Sequence, residues 1–122
     1  MSIVPTVIIS NTAHGAANGD YNGTDANWAT SKYKGDGYYG YTDGLHTMSY
    51  QLTGFVGVLT AQASLATNPG AGDWFDVDAS SVGDAATPLT AAGYFNFSGN
   101  FVWIRVGITS FTAGTINRVL YN

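Results

Sequence analysis

The sequence predicts an all-β chain, an antiparallel β-sandwich preceded by an extended N-terminal arm, and three observations carry that expectation. Glutamate is absent and only two lysines occur, while Gly, Thr, aromatic and β-branched residues are frequent; that composition disfavours helix interiors and suits pleated strands. Short runs alternate apolar with polar residues and are bounded by Gly, Pro, Asn and Asp. No stretch sustains the 3.6-residue period of an amphipathic helix. At 122 residues, one domain of this length buries roughly two-thirds of the surface its unfolded chain exposes. With hydrophobic residues at 45% and no cysteine, the core must hold without disulfides.

Taken in order, Ile3 to Ser10 (IVPTVIIS) reads as a first strand, with Pro5 placing it at a sheet edge. From Asn11 to about Gly37 the chain turns rich in Gly, Asn, Asp and Ala, with the turn pairs Asn18-Gly19, Asn22-Gly23 and Asp36-Gly37. A structureless loop of that length is uncommon in a compact domain, so it is expected to be an arm or functional loop interrupted by short strands and anchored by Trp28 and Tyr33. Residues 1–36 are thus set apart from a body at 37–122.

After the Asp43-Gly44 turn, His46, Met48, Tyr50 and Leu52 alternate with Thr47, Ser49 and Gln51, a half-buried strand that Gly54 is expected to break. GFVGVLTAQASL follows, ending at Asn68-Pro69-Gly70. GDWFDV is a short strand, Asp78 to Pro88 a loop of small residues, and Tyr94 to Phe97 another short strand. FVWIRVGITSF carries the clearest pattern: Val102, Ile104, Val106 and Ile108 on one face, Trp103, Arg105 and Thr109 on the other. Thr112 to Thr115 reads as a turn joining it to INRVLYN in a hairpin. About seven to nine short strands result, the spacing of a sandwich or barrel.

Charge excludes several functions. Charged residues make up only 10% of the chain and the net charge is −4, against a charged fraction of about 25% in ordinary domains. The bases are Lys32, Lys34, Arg105 and Arg118, too few for a phosphate-neutralising stripe, so neither nucleic acid nor an anionic membrane is an expected partner. No apolar run approaches the ~20 residues of a membrane span. Met1 to Ser10 lacks the basic start of a signal peptide, so the chain is expected to be made and folded in a cytoplasm. A surface this poor in charge suits a chain covered by neighbours, as in an oligomer or lattice.

The succession GFVGVLTAQASL, GDWFDV and GNFVWIRVGITSFTAGTI, preceded by GYYGYTDGLHTMSYQL, resembles a jelly-roll-like β-sandwich domain recurrent in virion structural proteins of tailed bacteriophages. The resemblance spans roughly Gly37 to Asn122. It implies a virion component without catalytic residues or cofactor, found as capsid decoration (cement) proteins and as modules of tails or fibres. A small domain standing by itself points to decoration: a homo-oligomer, with a trimer on a threefold position as one form, bound to the major capsid protein.

His14 and His46 are the only histidines, and no strained G-x-S-x-G turn accompanies them; no catalytic residue is expected. Asp73, Asp76 and Asp78 form one oxygen-rich group and Asp20, Asn22 and Asp25 another, but neither fits an EF-hand, and Asp and Asn are common turn formers; Asp73, Asp76 and Asp78 are at most weak calcium candidates. Trp28, Tyr33, Tyr38, Tyr39 and Tyr41 lie in or near polar loops. They are expected to anchor the arm or an interface, with carbohydrate stacking in a tail or fibre module as the alternative. Trp74 and Trp103 are expected in core or inter-sheet packing, and Arg105 is expected to pair with Asp76 or Asp78 across the sheet.

Overall fold

A computed structural model describes residues 6–35 and 45–122, leaving aside the side chains of Asp78 and Ala79. Its strands are β1 (Thr6–Ala13), β2 (Trp28–Ala29), β3 (Tyr33–Lys34), β4 (Leu45–Ser64), β5 (Phe75–Ser98) and β6 (Trp103–Tyr121), with one 3-10 turn at Ala71–Asp73. The all-β class is therefore the observed one. All pairings are antiparallel, in the order β1-β6-β4-β5, and β2 and β3 join the part of β6 that β1 does not cover. Ile3 to Pro5, with the strand start expected there, lie outside the described residues.

Three long strands stand where the sequence indicated many short ones. Gly54 does not end a strand; it sits inside β4, where the buried positions change from His46, Met48 and Leu52 to Phe55, Leu59, Ala61 and Ala63. The expected loop 78–88 belongs to β5, whose residues 85–88 bulge between the pairs Gly57↔Asp84 and Phe55↔Leu89. The expected terminal hairpin is absent: both halves of β6 pair in sequence along β4, from Ser64↔Trp103 to Met48↔Tyr121. Bulges explain all three corrections. Extra residues are accommodated by a local kink while pairing resumes beyond it. Ser110 and Gly114, with φ of 55° and 89°, supply the kink in β6. A Cβ on Gly114 would collide with the Gly54 carbonyl, so the β4 and β6 kinks nest against each other.

The kinks fold the sheet over its own apolar side. Phe75 and Val77 at the start of β5 line one recess with Phe97 and Ser98 at its end. Trp103 and Tyr121, at opposite ends of β6, line another. The two ends of β5, and likewise those of β6, thus come together within one hydrogen-bonded sheet, as when strands turn a corner through bulges. Inside lies one apolar cluster, with Met48, Leu52, Phe55 and Leu59 from β4, Ile104, Val106, Ile108, Phe111 and Ile116 from β6, and Ile8 and Ile9 from β1.

The Gly/Asn-rich stretch is laid along β6 of its own chain. Asn18 Nδ2 donates to the Ser10 and Asn11 carbonyls at 2.7 and 2.9 Å. Phe111 N–H donates to Ala26 O and Thr30 N–H to Val106 O, both at 2.9 Å. Tyr21 is the anchor that the sequence did not single out. It is 1% exposed and its ring lies 5.2 Å from Trp28 and 5.1 Å from Phe111. Burying a ring of this size contributes about 2–3 kcal/mol.

A candidate binding face on the outer side of the sheet

Period two governs the first residues of β6. Ile104 and Val106 enter the core, so Trp103, Arg105 and Gly107 emerge on the opposite side. Directly across on β4 stand Ser64, Gln62 and Thr60. Beyond them on β5, Asp76 faces Gln62 and Ser81 faces Thr60, the latter two hydroxyls 2.8 Å apart. On the other side, Lys34 faces Trp103. This row structure gathers three of the chain's four bases, Lys32, Lys34 and Arg105, at one end of an acidic molecule.

Arg105 is held in place from two directions. Its Nε donates to Gln62 Oε1 at 2.8 Å, and its guanidinium lies 4.3 Å from the centre of the Trp74 ring. Gln62 Nε2 in turn donates to Asp76 Oδ1 at 2.9 Å. The expected Arg105–Asp76 pairing is therefore relayed by Gln62. The cause is strand order: β4 runs between β5 and β6, so the two residues stand two strands apart, about 9–10 Å. Gln62 lies over Gly107, where a Cβ would come within 2.8 Å of its amide carbon. Burial holds the Arg105 pKa below the ordinary guanidinium value, although a guanidinium remains a cation throughout the working pH range.

Trp74 and Trp103 are half-buried on this outer side rather than in the expected core or inter-sheet packing. Asp73 Oδ2 accepts from Gly70 N–H at 2.7 Å, closing the turn that delivers Trp74. Trp103 Nε1 donates to Thr67 O at 3.0 Å, and Lys32 Nζ sits 4.5 Å from the ring centre. Beside them Thr6, Lys32, Tyr33, Lys34, Trp103 and Tyr121 enclose a recess of about 320 Å³. Burial, and then the negative charge of Asp20, raise the Tyr33 pKa above 10.0. Asp20 is positioned by Ser31, which donates its N–H and hydroxyl at 3.0 and 2.9 Å.

The other candidates fall elsewhere. Trp28 is half-buried against Tyr21 and Phe111, with its indole N–H sealed away from any acceptor among the described residues. Tyr38, Tyr39 and Tyr41 lie outside the described residues, as does the Asp78 side chain. Among the described residues no three His, Asp or Glu side chains converge as metal ligands. His14 is exposed, edge-on to Phe111 at 5.4 Å. His46 is 1% exposed, within 2.8 Å of both Tyr121 Oη and Gly99 O. Neither contact is the nucleophile or carboxylate that a hydrolytic triad requires.

Gln62 and Trp74 are the members of the face that sequence reasoning missed. Gln62 shared the polar side of its strand with Thr60 and Ser64, and that alternation was the only signal for it. Comparison with protein-family models, curated proteins and solved structures returned no match.

Proposed function

We propose that this chain is a non-catalytic virion structural protein of a tailed bacteriophage, a decoration protein that binds the outside of the head and stabilises it. The observation that carries the reading is β5, the last strand in the sheet order among the described residues. After Asp84 it runs to Ser98 without a charged residue, most of its side chains are exposed, and Tyr94 is 67% open to solvent. Pro88 and the 85–88 bulge blunt its middle, but beyond Leu89 it carries no charge, lysine above all, of the kind that normally protects a marginal strand. A neighbouring subunit that covers it removes the need. Repetition of modest contacts around a symmetric shell then adds avidity.

Quantifying this chain against the major capsid protein in purified heads tests the proposal. The expected result is a copy number in the hundreds per particle, on the order of the coat lattice, with imaging that places it on the outer shell. Confinement to the tail, or absence from the particle, would overturn it. The alternative, a carbohydrate-binding tail or fibre module, is favoured by one feature: Trp74 and Trp103 stand half-exposed beside Asp76 and Gln62. Glycan-array binding that disappears in Trp74→Ala would support that alternative.

A further inference from the structure

We infer that the Arg105 face is a docking surface for a protein partner that presents a carboxylate, an Asp or Glu side chain of an acidic segment, whether or not that partner is a coat protein. Arg105 spends one donor on Gln62, and no acceptor for its remaining N–H groups lies among the described residues. Stacking on Trp74 and the Nε bond to Gln62 fix the plane of the guanidinium. A fixed, partly desolvated guanidinium edge whose remaining donors meet no acceptor among the described residues matches the two oxygens of a carboxylate. Little side-chain entropy remains to be lost when the ligand arrives.

Charge points the same way. Lys32, Lys34 and Arg105 stand together in a chain of net charge −4. The one described carboxylate in the row, Asp76, already accepts from the Gln62 amide. An acidic segment would be drawn to this end of the molecule and repelled by the rest. The aromatic rings favour a peptide over a sugar. Trp74 and Trp103 each already hold a cation against one ring face, Arg105 and Lys32 respectively, which leaves a pyranose less of either ring to stack on. Half-buried Trp and Arg side chains in one cluster are also the composition of interface hot spots.

The test uses fluorescein-labelled hexaglutamate and the full chain, with binding read by anisotropy at low and at physiological salt. Saturable binding is expected, weakened by salt and weakened about tenfold or more in Arg105→Gln. Arg105→Lys, which keeps the charge and loses the fork, should also weaken it. Arg118→Gln removes an equal charge from a distant site, opposite Ser10 and Gln51, and should leave binding within about twofold. Circular dichroism checks that each variant is folded; if Arg105→Gln is not, Trp74→Phe and Arg105→Lys address the same contact. Absence of binding to the intact chain overturns the inference. So does equal loss in Arg118→Gln, or Arg105-dependent binding of oligogalacturonate with hexaglutamate refused.

Discussion

His46 and Arg105 are both nitrogen-rich planar groups set among aromatic rings, yet they occupy opposite sides of the same sheet to opposite effect. His46 stacks with Phe97, Phe101 and Tyr121, at 5.1, 5.9 and 5.8 Å between ring centres. Both its ring nitrogens are engaged, and it joins the start of β4 to the end of β6 and to the 99–101 turn. Among the described residues Arg105 has one aromatic neighbour, Trp74, and one hydrogen-bonded nitrogen, Nε. The difference teaches how a polar group is assigned a role. A planar group whose hydrogen-bonding capacity is exhausted inside the fold holds the fold together. One that is oriented by the fold but only partly satisfied by it keeps donors in reserve.

Replacing His46 is the most forceful way to break that comparison. His46→Ala removes three ring contacts and two hydrogen bonds from a buried site. It should cost about 3–4 kcal/mol, lowering the thermal midpoint by roughly 10–15 °C. Thermal or urea unfolding measures this directly. A loss under about 1 kcal/mol would show that the sealed cluster contributes little and that the distinction between the two sites is false. Arg105→Gln is the matched measurement. Its cation–π contact is half-exposed, so it should cost less than about 1 kcal/mol. Equal costs for the two variants would make Arg105 a structural residue and remove the reason to regard it as presented outward.

The contrast was only half legible in the sequence. Alternation separates Ile104 and Val106 on one face of the strand from Trp103 and Arg105 on the other, because a strand of period two has no other way to bury one face; it does not say that the Trp103 face is the outer one. Alternation does not say which strand lies alongside which. The expected pairing of Arg105 with Asp76 or Asp78 therefore leaves out the β4 strand, whose Gln62 stands between Arg105 and Asp76. His46 was read as half-buried because its partners, Tyr121 and the carbonyl of Gly99, lie 75 and 53 residues away in the chain. The Thr112–Thr115 stretch misled for a different reason: a glycine with positive φ serves a hairpin turn and a bulge equally well, and only the pairing partner tells them apart. The same ambiguity concealed the continuity of β4 and β5.

Tyr33 sits between the two regimes and yields the smallest, though most easily signed, effect. Its ring packs against the core cluster, while the recess that it lines also contains Lys32, Lys34 and Trp103. Burial is the main cause of its raised pKa and Asp20 the second, so the folded state holds the phenolic proton more tightly than the unfolded chain does. By linkage, the corresponding stabilisation is fully present below pH 10.0, the unfolded value, and is lost as pH rises through the higher folded value. Tyr33→Phe cannot ionise. Its thermal midpoint should fall less steeply than that of the intact chain across the alkaline range, while the two run parallel below it. Tyrosinate absorbance followed during the same titration should lose, in the variant, a component that ionises above pH 10.0. If the alkaline slopes coincide, Tyr33 is as freely hydrated as a surface phenol, and the recess beside Trp103 belongs wholly to the open side of the molecule.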